Sequence, residues 1–184
     1  MKDHIYAVLE PILLEHMPEH VGEIGTHKGI TARQIIESLA PRLAEQNKKL
    51  HYTGYDIFDH AVDNPEFNEL EINGKGGAVM ERTEGRLKKY VKRYDNFSFE
   101  LNKGFTTDTL TSPQQFDFVY IDGGHSYDTV KHDYSMVKES KVILFDDLNL
   151  PPVLQFVNEL IESGVDVKTV TTPSKHVWGL IVNK

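Results

Sequence analysis

The chain has no cysteine, which excludes disulfides, thiolate metal sites and thiol nucleophiles together. It also lacks any run of about 18 apolar residues, the length a bilayer-spanning helix needs, and it carries no internal repeat or low-complexity tract. Positive charge is scarce: 20 Lys and Arg against 28 Asp and Glu leave a formal net charge of −8. Binding a phosphate backbone requires Lys and Arg to displace condensed counterions, so nucleic acid is not an expected partner. The opening residues MKDHIYAVLEPILLEHMPEH interleave acids and histidines with apolar positions. That order differs from the basic-then-apolar layout of a secretory signal. It reads as an amphipathic helix of a cytoplasmic protein with no membrane association.

What is present is alternation. At 184 residues one domain is expected, large enough to bury roughly 70% of its unfolded surface. HVGEIG (20–25) reads as a short strand ending in glycine, and ITARQIIESLA (30–40) as a helix stopping before Pro41. LHYTGYDIF (50–58), NFSFEL (96–101), FDFVYID (116–122) and KVILFDD (141–147) read as further strands. SYDTVKHDYSMV reads as a helix with Ser126 as N-cap, and PVLQFVNELIES (152–163) as a helix opening on proline. VDVKTVTT and HVWGLIVN follow with no helix between them, as in an antiparallel hairpin. Residues 59–85 break the rhythm with Pro65 and NGKGG, and read as an insertion serving as a lid or substrate-recognition segment. The basic stretch RLKKYVKRY (86–94) has apolar positions at helical spacing. It reads as a solvated helix face, with an acidic substrate or partner as the other reading.

Alternating strands and helices imply an α/β fold with a mostly parallel sheet and helices on both faces. Ligands then bind at the carboxyl ends of the strands. Acids and glycines gather there: Glu23 and Gly25, Asp56, Asp122, and Asp146 with Asp147 each follow a different strand. In EIGTHKGIT (23–31), Gly25 permits a sharp turn and Gly29 a close helix approach. Lys28 precedes Gly29, so no phosphate-binding loop is spelled, and the G-x-G-x-x-G dinucleotide fingerprint is absent. A plain glycine-containing turn is the alternative for this motif. A carboxylate at Asp56 has two acceptor oxygens, enough for both hydroxyls of a ribose.

VGEIGTHKG, YDIFD, FDFVYIDGGHSYDTV and VILFDD together resemble the class I S-adenosylmethionine-dependent methyltransferases, in the branch similar to macrocin and catechol O-methyltransferases. The resemblance runs from about Val21 to Val182. It implies a Rossmann-like seven-stranded sheet ending in a reversed hairpin, and S-adenosyl-L-methionine as cofactor. Glu23, Gly25, Thr26 and Gly29 would hold its methionine part, Asp56 its ribose, and Phe105 and Thr106 of KGFTT its adenine, with Asp122 near the sulfonium. It further implies a Mg²⁺ or similar divalent cation on Asp122, Asp146 and Asp147. A hard cation takes carboxylate oxygens plus water, which agrees; capping and ion-pairing are the other uses of Asp146 and Asp147. His125 stands three positions after Asp122, where catechol-type enzymes place a lysine base, so it matches by position and departs by residue type. Imidazole suits proton removal near neutral pH, although the same histidine could serve only to orient a loop or substrate.

The expected activity is O-methylation of a small hydroxylated molecule, with His125 as base and Asp122 in the catalytic set. Only about 20 residues precede the first strand here, so substrate contacts are expected from residues 59–85 or from a second subunit of a homo-oligomer. The rival readings are a metal-independent methyltransferase or non-catalytic cofactor-binding module, and a nucleotide-dependent oxidoreductase, against which the missing fingerprint counts.

Overall fold

The computed structural model describes residues 3–58, 79–172 and 175–183. The elements run α1 (Asp3–His16), β1 (His20–Ile24), α2 (Ile30–Glu45), β2 (Leu50–Asp56), α3 (Val79–Arg93), β3 (Phe97–Lys103), α4 (Thr106–Thr109), β4 (Phe118–Ile121), α5 (Tyr127–Val137), β5 (Val142–Phe145), α6 (Pro151–Glu162), β6 (Lys168–Thr171) and β7 (Val177–Val182). The seven strands form one sheet in the order β3-β2-β1-β4-β5-β7-β6. Pairing is parallel from β3 through β5, while β7 is antiparallel to both β5 and β6. The reversed C-terminal hairpin and the mostly parallel sheet are as the sequence implies.

The central strands FVYI and VILF are buried along their whole length, as parallel strands covered on both faces must be. Alternate residues serve opposite layers. Phe118, Tyr120 and Leu144 join Val21, Tyr52 and the helical residues Leu9, Ile35 and Leu87 in one cluster. Val119, Ile121 and Phe145 join Ile24, Val130 and Phe156 in the other. Helices α1, α2 and α3 therefore cover one face, and α5 and α6 the other.

Two expectations change. The α2 helix does not stop before Pro41 but continues to Glu45. Leu43 is fully buried and draws the chain on, while the Arg42 guanidinium donates to the Ser38 carbonyl at 2.7 Å; burial outweighs the proline penalty. The segment expected as an insertion over residues 59–85 is shorter at its end, because residues 79–85 are the first turns of α3. Val79, Thr83 and Leu87 are its buried stripe, spaced four apart as one helix face requires. Residues 59–78 of that expected lid lie outside the described residues. Among the described residues no helix is long and apolar enough to cross a membrane.

The backbone ladder continues past the strand ends. The amide of Gly25 donates to the Tyr55 carbonyl at 2.8 Å, that of Asp122 to Ile24 at 2.8 Å, that of Asp146 to Ile121 at 2.9 Å and that of Gly104 to Asp56 at 3.0 Å. These bonds set the height at which each acid leaves the sheet.

Candidate active site

The strand order reverses between β1 and β4: β2 and β3 lie on one side, β5 and β7 on the other. The crevice expected at such a switch point is present. It is a space of about 480 Å³, open to solvent and lined by Gly25, Asp56, Gly104, Phe105, Thr106, Gly123, Gly124, Thr129 and Asp133 among others. A second cavity of about 220 Å³ is lined by Asp122, Gly123, Gly124, His125, Asp146 and Asp147 among others. Gly123 and Gly124 are the wall common to both.

Gly25 has φ +95°, and a Cβ built on it would lie 1.8 Å from the Asp122 carbonyl oxygen. The turn after β1 and the turn after β4 thus touch through bare backbone. Gly29 caps α2 in a left-handed conformation, and its Cβ would meet Thr83 at 3.0 Å. Thr83 Oγ1 donates to the His27 carbonyl at 2.7 Å, and Arg86 Nη1 donates to the Lys28 carbonyl. The basic helix therefore holds the loop of residues 26–29 from behind.

Of the residues expected on the cofactor, Gly25, Asp56, Phe105 and Thr106 line the crevice. Asp56 accepts from the His27 amide at 2.8 Å and from the Phe58 amide at 2.5 Å, which fix its carboxylate at the crevice wall. Phe105 is 51% exposed, an aromatic face turned to an open space. Glu23, Thr26 and Gly29 do not line the crevice. Glu23 is 1% exposed and accepts a hydrogen bond from Tyr52, whose hydroxyl also meets Thr26 Oγ1 at 3.1 Å. Strand alternation is the reason: Glu23 shares the face of Val21, toward α1 and α2. Burial chiefly, with some help from Asp56, pushes the Glu23 carboxyl up to about 8.

This yields a pH prediction. With the folded value above the ordinary carboxylate value, the folded state keeps a proton that the unfolded chain has released, so stability falls as pH rises from about 4.5 to 8. The loss attributable to Glu23 is on the order of 4 kcal/mol at most, from 1.36 kcal/mol per pKa unit. Urea unfolding at pH 5, 6.5 and 8 with chelator present should show the decline, and Glu23→Gln should make it shallower, leaving the part due to the raised Asp122 carboxyl.

The acids expected on a metal converge. Asp122, His125 and Asp147 have ligand atoms within 4.8 Å of one another, as do Asp146, Asp147 and His176. His125 Nε2 lies 3.0 Å from Asp147 Oδ2. His176 Nε2 contacts Asp146 Oδ1 and lies 3.5 Å from Asp147 Oδ1. Tyr120 donates to the other Asp146 oxygen. Burial first, then the charges of Asp146, Asp147 and Glu23, push the Asp122 carboxyl well above the usual range. The hydrogen bond to Asp146 raises the His176 imidazole. Asp147 itself has φ +55°, a left-handed backbone costly for a non-glycine residue, and this conformation sets its carboxylate between the two imidazoles. Among the described residues the ion-pair partners of Asp146 and Asp147 are imidazoles only. Three carboxylates that repel one another are a donor set a divalent cation fits.

Three contributors escape the sequence reading. Thr129 and Asp133 line the crevice from α5, and Asp133 is fully buried beside Val130 and Val137. An acid on an apolar helical stripe is the signal that could have found it. His176 precedes β7 in sequence, and only the reversal of that strand brings it to the site.

The chain aligns over 98% of its length with the O-methyltransferase NovP, at TM-score 0.68 and 15% identity and covering 79% of that chain. TomG from Streptomyces achromogenes, an O-methyltransferase of tomaymycin synthesis solved with S-adenosylmethionine, gives TM-score 0.61 and 14% identity, with 100% of this chain and 82% of that one covered. The O-methyltransferase of Bacillus cereus, solved with S-adenosylhomocysteine, gives 0.60 and 12%, with 100% and 82% covered. At these identities the likeness is one of fold. A family model described as "Methyltransferase domain" matches residues 23–148, and the chain belongs to that family. No curated protein sequence matches it.

Proposed function

We propose that the chain is an S-adenosylmethionine-dependent O-methyltransferase acting on a small hydroxylated molecule with the help of Mg²⁺ or a similar divalent cation. The observation that carries this reading is the meeting of the two cavities at Gly123 and Gly124, one lined by Gly25, Asp56, Phe105 and Thr106 and the other by Asp122, Asp146 and Asp147. The three structural relatives named above are O-methyltransferases, which supports it.

Asp56 would bind the ribose hydroxyls, Phe105 and Thr106 the adenine, and the backbone at Gly25 the methionine part. Glu23, Thr26 and Gly29 act one step back by fixing the turn. When bound, S-adenosylmethionine would supply an electrophilic methyl group, and a cation held by Asp122, Asp146 and Asp147 would lower the pKa of an acceptor hydroxyl. His125 is held by Asp147; in the tautomer with its proton on Nε2 and donated to Asp147 Oδ2, Nδ1 is the basic nitrogen, as in other imidazoles oriented by a carboxylate. The chain's contribution is to position the two partners and accept one proton.

Transfer of labelled methyl from S-adenosylmethionine to a panel of phenols and vicinal diols, with and without EDTA, tests the reading. Transfer that EDTA abolishes supports it; binding of a nicotinamide cofactor in place of S-adenosylmethionine would overturn it. His125→Gln should lower kcat by about 10²-fold or more at neutral pH while S-adenosylhomocysteine affinity stays the same. Unchanged turnover would remove His125 as the base.

A further inference from the structure

β7 runs antiparallel to β5, with Gly179 opposite Phe145, and the Leu148 amide donates to the Val177 carbonyl at 3.0 Å. In a parallel sheet only the carboxyl ends of strands reach the crevice; the reversed strand brings its amino end there instead. The residue so delivered is His176. Its ring lies against Trp178 with centroids 4.3 Å apart, and Trp178 is itself 2% exposed, so the imidazole has a fixed backing. Nε2 is directed at Asp146 Oδ1 and Asp147 Oδ1. The opposite oxygens of these carboxylates are turned elsewhere, Asp146 Oδ2 to Tyr120 and Asp147 Oδ2 to His125. One nitrogen and two carboxylate oxygens thus converge from three fixed supports, and their ligand atoms lie within 4.8 Å of one another.

Oxygen-only sites suit Mg²⁺, whereas an imidazole nitrogen shifts preference toward first-row transition metals. The geometry points to His176 as a nitrogen ligand that joins Asp122, Asp146 and Asp147, making this a mixed nitrogen and oxygen site selective for Mn²⁺ or a later divalent metal over Mg²⁺. His125 meets the other Asp147 oxygen and keeps the proton-transfer role proposed above. The inference rests on the proposed cation site and adds to it the ligand that sets the metal's identity.

Calorimetric titration of the metal-free protein with Mn²⁺ and with Mg²⁺, together with pulsed EPR of the Mn²⁺ form, tests it without any turnover. The wild type should bind Mn²⁺ at least about tenfold more tightly than Mg²⁺ and show nitrogen-14 modulation from a directly bound imidazole. His176→Ala should weaken Mn²⁺ by about tenfold or more, leave Mg²⁺ within about threefold and abolish the modulation; His125→Ala should keep it. S-adenosylhomocysteine binding by each variant reports that the fold is intact, and His176→Gln serves if the alanine variant is unstable. Mn²⁺ binding without nitrogen modulation, or with modulation that survives in His176→Ala, would overturn the ligand assignment and leave the cation site standing. Failure of either cation to bind in an Asp146-dependent way would overturn both.

Discussion

Gly25→Ala is expected to abolish S-adenosylhomocysteine binding and to lower the melting temperature by about 10 °C. The added methyl would lie 1.8 Å from the Asp122 carbonyl oxygen and 2.4 Å from its carbon. Both atoms are backbone, held by the Asp122 amide bond to Ile24, so no rotamer change relieves the contact. The φ of +95° adds strain of its own. Overpacking and an unfavourable backbone conformation cost about 1–3 kcal/mol each, and each kcal/mol moves the melting temperature of a chain this size by about 2–4 °C. Separating the two turns would also part the crevice from the acid cavity, so binding should fail even where folding survives. Gly85→Ala is the control. It lies in the exposed part of α3 with nothing within 4 Å of the added carbon, and should stabilise the protein by up to about 1 kcal/mol. Thermal melts of the two variants and calorimetry with S-adenosylhomocysteine check both statements.

Asp146→Ala is expected to reduce methyl transfer by at least about 10³-fold. Asp146 accepts from Tyr120 and from the Asp147 amide at 2.7 Å, and it contacts His176. Its removal leaves a buried tyrosine hydroxyl and an imidazole without their shared carboxylate, a loss of about 1–3 kcal/mol in stability. The activity loss is larger because a carboxylate that holds a cation supplies several kcal/mol at the reacting oxygen, and 1.36 kcal/mol is tenfold in rate. S-adenosylhomocysteine should still bind, since Asp146 lines the acid cavity and not the crevice. Single-turnover kinetics beside calorimetry would separate the two effects; equal loss of binding and rate would mean that the variant had simply unfolded the site.

The parts of the molecule that were legible in the sequence are those fixed by local pattern. FDFVYID and KVILFDD carry burial and strand propensity in their own composition, and each ends in an acid, so the place of the crevice followed from reading along the chain, as did Gly25 and Asp56 in its lining. Ser126 accepts from the Thr129 amide at 3.2 Å, an N-cap visible from residue type alone. What depends on distant partners was not legible. His176 looks like an ordinary hairpin residue until β7 is paired with β5. Pro41 ends a helix by local rule, yet the buried Leu43 carries α2 past it. Glu23 belongs to the glycine motif in sequence, but alternation along β1 sends its side chain to the opposite layer, against Tyr52. Alternation was available in the sequence and outranks motif membership in deciding where a side chain goes. Asp133 was readable for the same reason, as a charge on the buried stripe of α5.

The central claim is that one crevice holds the methyl donor and the neighbouring acid cavity holds the cation that serves the acceptor. A crystal structure with S-adenosylhomocysteine and Mn²⁺ tests it most directly. The expected result has the ribose on Asp56, the adenine against Phe105, and the metal on Asp122, Asp146 and Asp147 across the Gly123–Gly124 wall. A metal bound away from these acids, or the nucleoside bound outside the crevice, would contradict it.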